Sequence, residues 1–96
     1  MKGEFRVAIK ICPQVYQVGG ANLSHADDCC VYLVESKQEC ALIDTGAGRG
    51  TRQILNNIKK LGFQPGQISY IILTHGHIDH IGGVKELQEQ TGAEVV

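Results

Sequence analysis

Proline is scarce in this sequence, with 2 residues in 96, and no low-complexity run interrupts a chain that is 43% hydrophobic. That excludes general disorder and leaves a packed chain of one small domain. A block of charge of one sign is also missing: 9 Lys and Arg stand against 10 Asp and Glu, for a net charge of -1. Without such a block there is no basic track for a phosphate backbone, so nucleic acid is not the expected partner, although charge balance alone does not decide it. Long apolar runs are absent as well. The longest, Cys29 to Val34, is far too short to span a bilayer, and Lys10 breaks the apolar run near the start with no small-residue cleavage site after it. Neither a membrane span nor a signal peptide is expected. The cysteines, Cys12, Cys29, Cys30 and Cys40, form no CxxC, and the adjacent pair cannot easily close on itself. They read as small buried hydrophobes in strands of a reduced, cytoplasmic protein.

What is present is a series of short periodic segments. From Phe5 to Ile11 apolar and polar residues nearly alternate, with Phe5, Val7, Ile9 and Ile11 on one face, which predicts a strand with one wet side ending at Pro13. Val15 to Val18 alternates again and stops at Gly19-Gly20, and the polar stretch Ala21 to Asp28 reads as a loop. Cys29 to Val34 and Cys40 to Ile43 are β-rich runs joined by the polar Glu35 to Glu39, as in a hairpin. The second runs out into Asp44-Thr45-Gly46, which delivers a carboxylate to the end of a sheet. Ile54, Leu55, Ile58 and Leu61 recur at helical spacing before Gly62. After a Pro65-Gly66 turn, the apolar-rich run Ile68 to Leu73, with Tyr70 to Leu73 consecutive, predicts a strand buried on both faces. Val84 and Leu87 then mark a helix to about Gln90, with Gly92 after it and Val95-Val96 opening another strand.

Between that last strand and helix lies Thr74-His75-Gly76-His77-Ile78-Asp79-His80-Ile81-Gly82-Gly83, in which four metal-capable side chains fall within six positions. Imidazole and carboxylate together suit zinc, iron or manganese, and the lack of cysteine points to a catalytic rather than a closed structural site. In extended backbone His75 and His77 point to the same side and can reach one ion across Gly76. Asp79 and His80 are neighbours that project differently, so a second ion, roughly 3.5 to 4 Å from the first, is the economical arrangement. Two such ions need more than four protein groups. His25, Asp27, Asp28 and Asp44 are the remaining candidates. His25 reads as a surface-loop histidine rather than a ligand. Asp44 suits a supporting role, holding a ligand imidazole by its other nitrogen, or else serves as a turn residue bound to backbone N–H groups.

With those residues in view, the sequence resembles the metallo-β-lactamase superfamily, whose hallmark HxHxDH after a buried strand is matched by His75-Gly76-His77-Ile78-Asp79-His80. The Leu42-Ile43-Asp44-Thr45-Gly46 strand end looks like a second family motif, and Gly82-Gly83 is similar to the glyoxalase II-like hydrolase branches. The resemblance covers the whole chain. It implies an α/β fold, the N-terminal half of a metallo-β-lactamase αββα sandwich, in which a mixed sheet carries flanking helices. It implies that His75 and His77 bind a first metal, that Asp79 and His80 bind a second, and that Asp44 supports the site from behind. Further ligands, a histidine, a bridging aspartate and a last histidine, are expected beyond Val96. Residues 1–96 are accordingly expected to be a single, truncated domain whose inner sheet face is exposed, favouring a homo-oligomer through the half-sandwich.

The expected activity is metal-assisted hydrolysis of a small-molecule ester, thioester, amide or phosphodiester by a metal-bound hydroxide, with Asp79 as the catalytic residue orienting it and two zinc ions per complete site, iron or manganese being alternatives. Two other readings stand beside it. One is an iron-dependent oxidoreductase resembling the persulfide dioxygenases; the di-iron oxygen-reducing branch typically has glutamate where this chain has His77. The other is a non-catalytic, metal-binding half-domain. The substrate itself is not legible, because a fold does not fix a function.

Overall fold

The computed structural model describes residues 8–37, 39–74 and 81–96. Its strands are β1 (Ile9–Cys12), β2 (Val15–Gly19), β3 (Val31–Ser36), β4 (Glu39–Ile43), β5 (Ile68–Ile72) and β6 (Glu94–Val95), with helices α1 (Thr51–Lys60) and α2 (Val84–Thr91) and a 3-10 turn at Pro65–Gln67. They form one mixed sheet in chain order. β1 to β4 pair antiparallel, while β4, β5 and β6 run parallel. The switch follows from the connections: hairpins join the first four strands, and a parallel neighbour needs a crossover, supplied by α1 and then by α2.

Both crossovers lie on one face of the sheet. Ile54 and Ile58 of α1 and Leu87 of α2 are fully buried with Val18, Val31, Leu33, Leu42 and Ile71 in a single core. The loop before β3 also packs inward, through Leu23 and Ser24. Asn57 is the polar member of α1's buried side. Its Nδ2 donates to the carbonyls of Val18 at 2.8 Å and Leu23 at 3.0 Å, tying the helix to the end of β2 and the loop beyond. Such a bond matters because a buried carbonyl left without a donor costs about 1–3 kcal/mol.

The opposite face carries Tyr32, Val34, Ala41, Ile43, Tyr70 and Ile72 in register across β3, β4 and β5. Tyr70 is 44% and Ile72 37% exposed. The expectation that Ile68 to Leu73 is buried on both faces is therefore corrected: Ile68 and Ile71 enter the core, whereas Tyr70 and Ile72 are exposed. A similar correction applies to β1, all four residues of which are exposed, including Ile9 and Ile11. Phe5 and Val7 lie outside the described residues. For β5 the reason is that both helices among the described residues cover the same side; β1 is exposed on both faces because it is the edge strand of the sheet.

The cysteines also depart from expectation. Only Cys40 is buried; Cys29 is partly covered, and Cys12 and Cys30 are exposed. Burial, with the charges of Glu35 and Glu39 behind it, pushes the Cys40 thiol up from its usual range. The thiolate is the reactive form. Alkylation near pH 8, followed by peptide mass mapping, is thus expected to label Cys12 and Cys30 well before Cys40.

Candidate metal centre

The four residues with metal-binding spacing, His75, His77, Asp79 and His80, lie outside the described residues. The residues on either side of them are described, and both flanks rest on one segment of chain. β4 ends at Ile43, and Asp44 continues its ladder by donating its backbone N–H to the Ile72 carbonyl at 2.8 Å. Asp44 then turns into the left-handed region, with φ 67°, which aspartate tolerates better than most residues. Its side chain is 4% exposed. One carboxylate oxygen accepts the backbone N–H of Thr74 at 2.8 Å, and the other accepts the Thr74 hydroxyl at 2.7 Å.

Asp44 thus grips the residue immediately before His75. It does take a backbone N–H, as one of its two expected roles required, but the partner is 30 residues away rather than in its own turn. Whether its carboxylate also meets an imidazole involves the histidines outside the described residues.

The other flank is seated a few residues further along the same segment. Gly83 donates its N–H to the Gly46 carbonyl at 3.2 Å. A β-carbon on Gly82 would overlap the backbone of Ala47, and one on Gly83 would lie 2.7 Å from the Thr45 carbonyl oxygen. Only bare backbone fits this crossing. The two glycines that end the motif are therefore a packing requirement of the 44–48 segment. Thr51, at the start of α1, closes that segment by donating its hydroxyl to the Gly48 carbonyl at 3.1 Å.

Asp28 is not available as a ligand, which corrects its place among the candidates. It is 8% exposed, and its carboxylate is occupied: Oδ1 accepts the Ala47 N–H at 2.8 Å and Oδ2 accepts the Ser24 hydroxyl in a short bond. This role is not legible in the motif spacing. The hint in the sequence is the pair Gly46 and Gly50, at each of which a β-carbon would meet the Asp28 carboxylate. His25 and Asp27 engage each other, the His25 Nδ1 accepting the Asp27 N–H at 3.0 Å and lying 3.6 Å from the Asp27 carboxylate. Among the described residues no three His, Cys, Asp or Glu side chains gather around one point. No helix among them is long and apolar enough to cross a membrane.

Comparison with known proteins agrees with this frame. The sequence model of the metallo-β-lactamase superfamily matches residues 26–96. A UPF0173 metal-dependent hydrolase of Staphylococcus aureus is 52% identical over 44 residues, 45% of this chain and 19% of the relative. Among solved structures, a Cronobacter sakazakii metallo-β-lactamase with an HARLDQ motif superposes with a TM-score of 0.83 at 31% identity, over 97% of this chain and 32% of its own. The subclass B3 metallo-β-lactamase MEM-A1, from a soil metagenome library, gives 0.82 at 30% identity, over 97% and 33%. FEZ-1 from Legionella gormanii gives 0.81 at 26%, over 96% and 33%. The chain thus spans about a third of the length of these solved neighbours. With a family match over most of its length and a sheet, helix order and strand-end loop to go with it, the chain belongs to the metallo-β-lactamase superfamily.

Proposed function

We propose that this chain supplies the His75, His77, Asp79 and His80 side of a binuclear, metal-dependent hydrolase site acting on a small-molecule ester, thioester, amide or phosphodiester. The observation that carries the reading is the clamp on the motif: Asp44 holds Thr74 at one end, and the Thr45–Gly48 backbone seats Gly82 and Gly83 at the other. A segment whose two ends are fixed by one loop presents its side chains from a fixed base, as a ligand set needs. The donors fit a divalent ion such as zinc, three neutral imidazoles and a carboxylate being the groups such ions take.

Two such ions, held by these residues, would bring the pKa of a water down to about 7 and would polarise the substrate oxygen. The chain's own residues do the rest. By their spacing in extended backbone, His75 and His77 would offer two imidazole nitrogens to one ion. His80 and Asp79 would hold the second ion, with the Asp79 carboxylate placed to orient the attacking water. Asp44, held against Thr74 at the end of β5, keeps the strand exit at a set height.

The test combines metal analysis with hydrolysis. Full-length protein purified without added metal is expected to carry about two zinc ions per complete site. Hydrolysis of a panel of chromogenic esters and phosphodiesters is expected to stop on chelation and return with zinc. Hydrolysis that persists in metal-free protein would falsify the proposal, and activity restored by iron alone, with oxygen consumption, would replace it by the oxidoreductase reading.

A further inference from the structure

We propose that Asp28 is a positioning residue for the metal motif, holding from behind the one loop on which both ends of residues 75–80 rest. The inference depends on the metal-site reading above.

Asp28 lies in the loop before β3, and its own N–H closes a turn to the His25 carbonyl at 3.0 Å. A turn residue would need nothing more. Yet its carboxylate reaches across to Ala47, 19 residues on, and enters a cradle built for it. A β-carbon on Gly46 would stand 2.7 Å from Oδ1, and one on Gly50 would overlap Oδ2. Ser24 completes the cradle: its Oγ accepts the Gly20 N–H at 3.0 Å and donates to Oδ2. Two glycines, a serine and a backbone N–H thus surround one carboxylate on the inner side of the 46–50 loop.

Burying a carboxylate against neutral donors is costlier than burying an alcohol or amide. What it provides is two acceptors at once, one for the fixed 20–28 loop and one for Ala47. Ala47 is also the residue whose backbone Gly82 packs against, and its neighbour Gly46 accepts the Gly83 N–H. The line of contacts runs from Ser24 through Asp28 to Ala47 and on to Gly82, which follows the motif by two residues. Groups that hold metal ligands directly change affinity by about 10–100-fold when removed, and Asp28, which acts through Ala47 and Gly82, is expected at the low end of that range.

The test uses the full-length protein, with zinc affinity measured by chelator competition and site geometry read from the visible absorption of the cobalt(II) form. Asp28→Ala is expected to weaken zinc binding by about tenfold or more and to shift the cobalt bands. Asp28→Asn is expected to restore both, because its amide oxygen still accepts from Ala47 while its NH2 donates to Ser24, whose hydrogen turns to the Gly20 carbonyl at 3.3 Å. Leu33→Ala, in the core of β3, serves as the stability control and is expected to lower the urea midpoint without moving metal affinity. If Asp28→Ala does not accumulate as folded protein, Ser24→Ala takes its place, with a smaller loss of affinity expected. Wild-type affinity in Asp28→Ala or its substitute, or affinity that simply tracks stability across all variants, overturns the positioning role alone. A wild-type protein that binds neither zinc nor cobalt overturns the metal site and this inference together.

Discussion

Replacing His77 by alanine is expected to reduce hydrolysis by well over a hundredfold and to lower the metal content of the purified protein. The expectation follows from the number of ligands. His75 and His77 are the pair whose spacing puts two imidazoles on one side of an extended chain, so the loss of either removes one of the about three protein groups an ion needs. Without the ion the attacking water keeps its much higher bulk pKa, and almost none of it is ionised at neutral pH. Asp44→Ala provides the scale. It removes both acceptors for Thr74, a support rather than a proposed ligand, and losses of about 10–100-fold are typical of such changes. Metal content and turnover measured on both variants should rank His77→Ala as the more severe. A His77→Ala protein with full metal and unchanged turnover would remove His77 from the site.

Gly82→Ala is expected to damage stability and metal binding together. Its β-carbon would overlap the carbonyl oxygen of Ala47, and both partners are backbone, so no rotamer change relieves the clash. The 44–48 segment and the start of α2 must move apart, which strains the Gly83 to Gly46 hydrogen bond. Forcing extra volume into a closed contact costs about 1–3 kcal/mol, and a weakened backbone hydrogen bond adds up to about 1 kcal/mol. Urea denaturation should show the midpoint falling, and chelator competition should show weaker metal binding. Gly66→Ala is the matched control: a β-carbon there meets nothing within 4 Å, and a change within about 0.5 kcal/mol is expected. Equal behaviour of the two variants would mean that the 82–47 crossing does not constrain the fold.

Much of the architecture was legible because it is encoded locally. The 3–4 residue spacing of Ile54 and Ile58 placed α1, and Gly62 and Gly92 follow the two helices where the pattern stopped. Alternating and β-rich runs located five of the six strands to within about two residues, and the hairpin after β3 proved tighter than expected because both strands extend into the polar stretch. The donor set of the candidate site was readable for the same reason, since its four residues are near neighbours in the chain.

What the sequence determined by itself, then, is the kind of each element and the inventory of metal-capable groups, because both depend on residue type and short-range spacing. Only the tertiary structure decided which groups support which. Asp28 had the composition of a ligand and turned out to be a strut, and Asp44 found its partner at Thr74. Tyr70 and Ile72 had the composition of core and face outward. These outcomes depend on strand order, on parallel register between β4 and β5, and on both crossovers choosing the same side of the sheet. Each of those brings together residues far apart in the chain, and no local pattern carries that information.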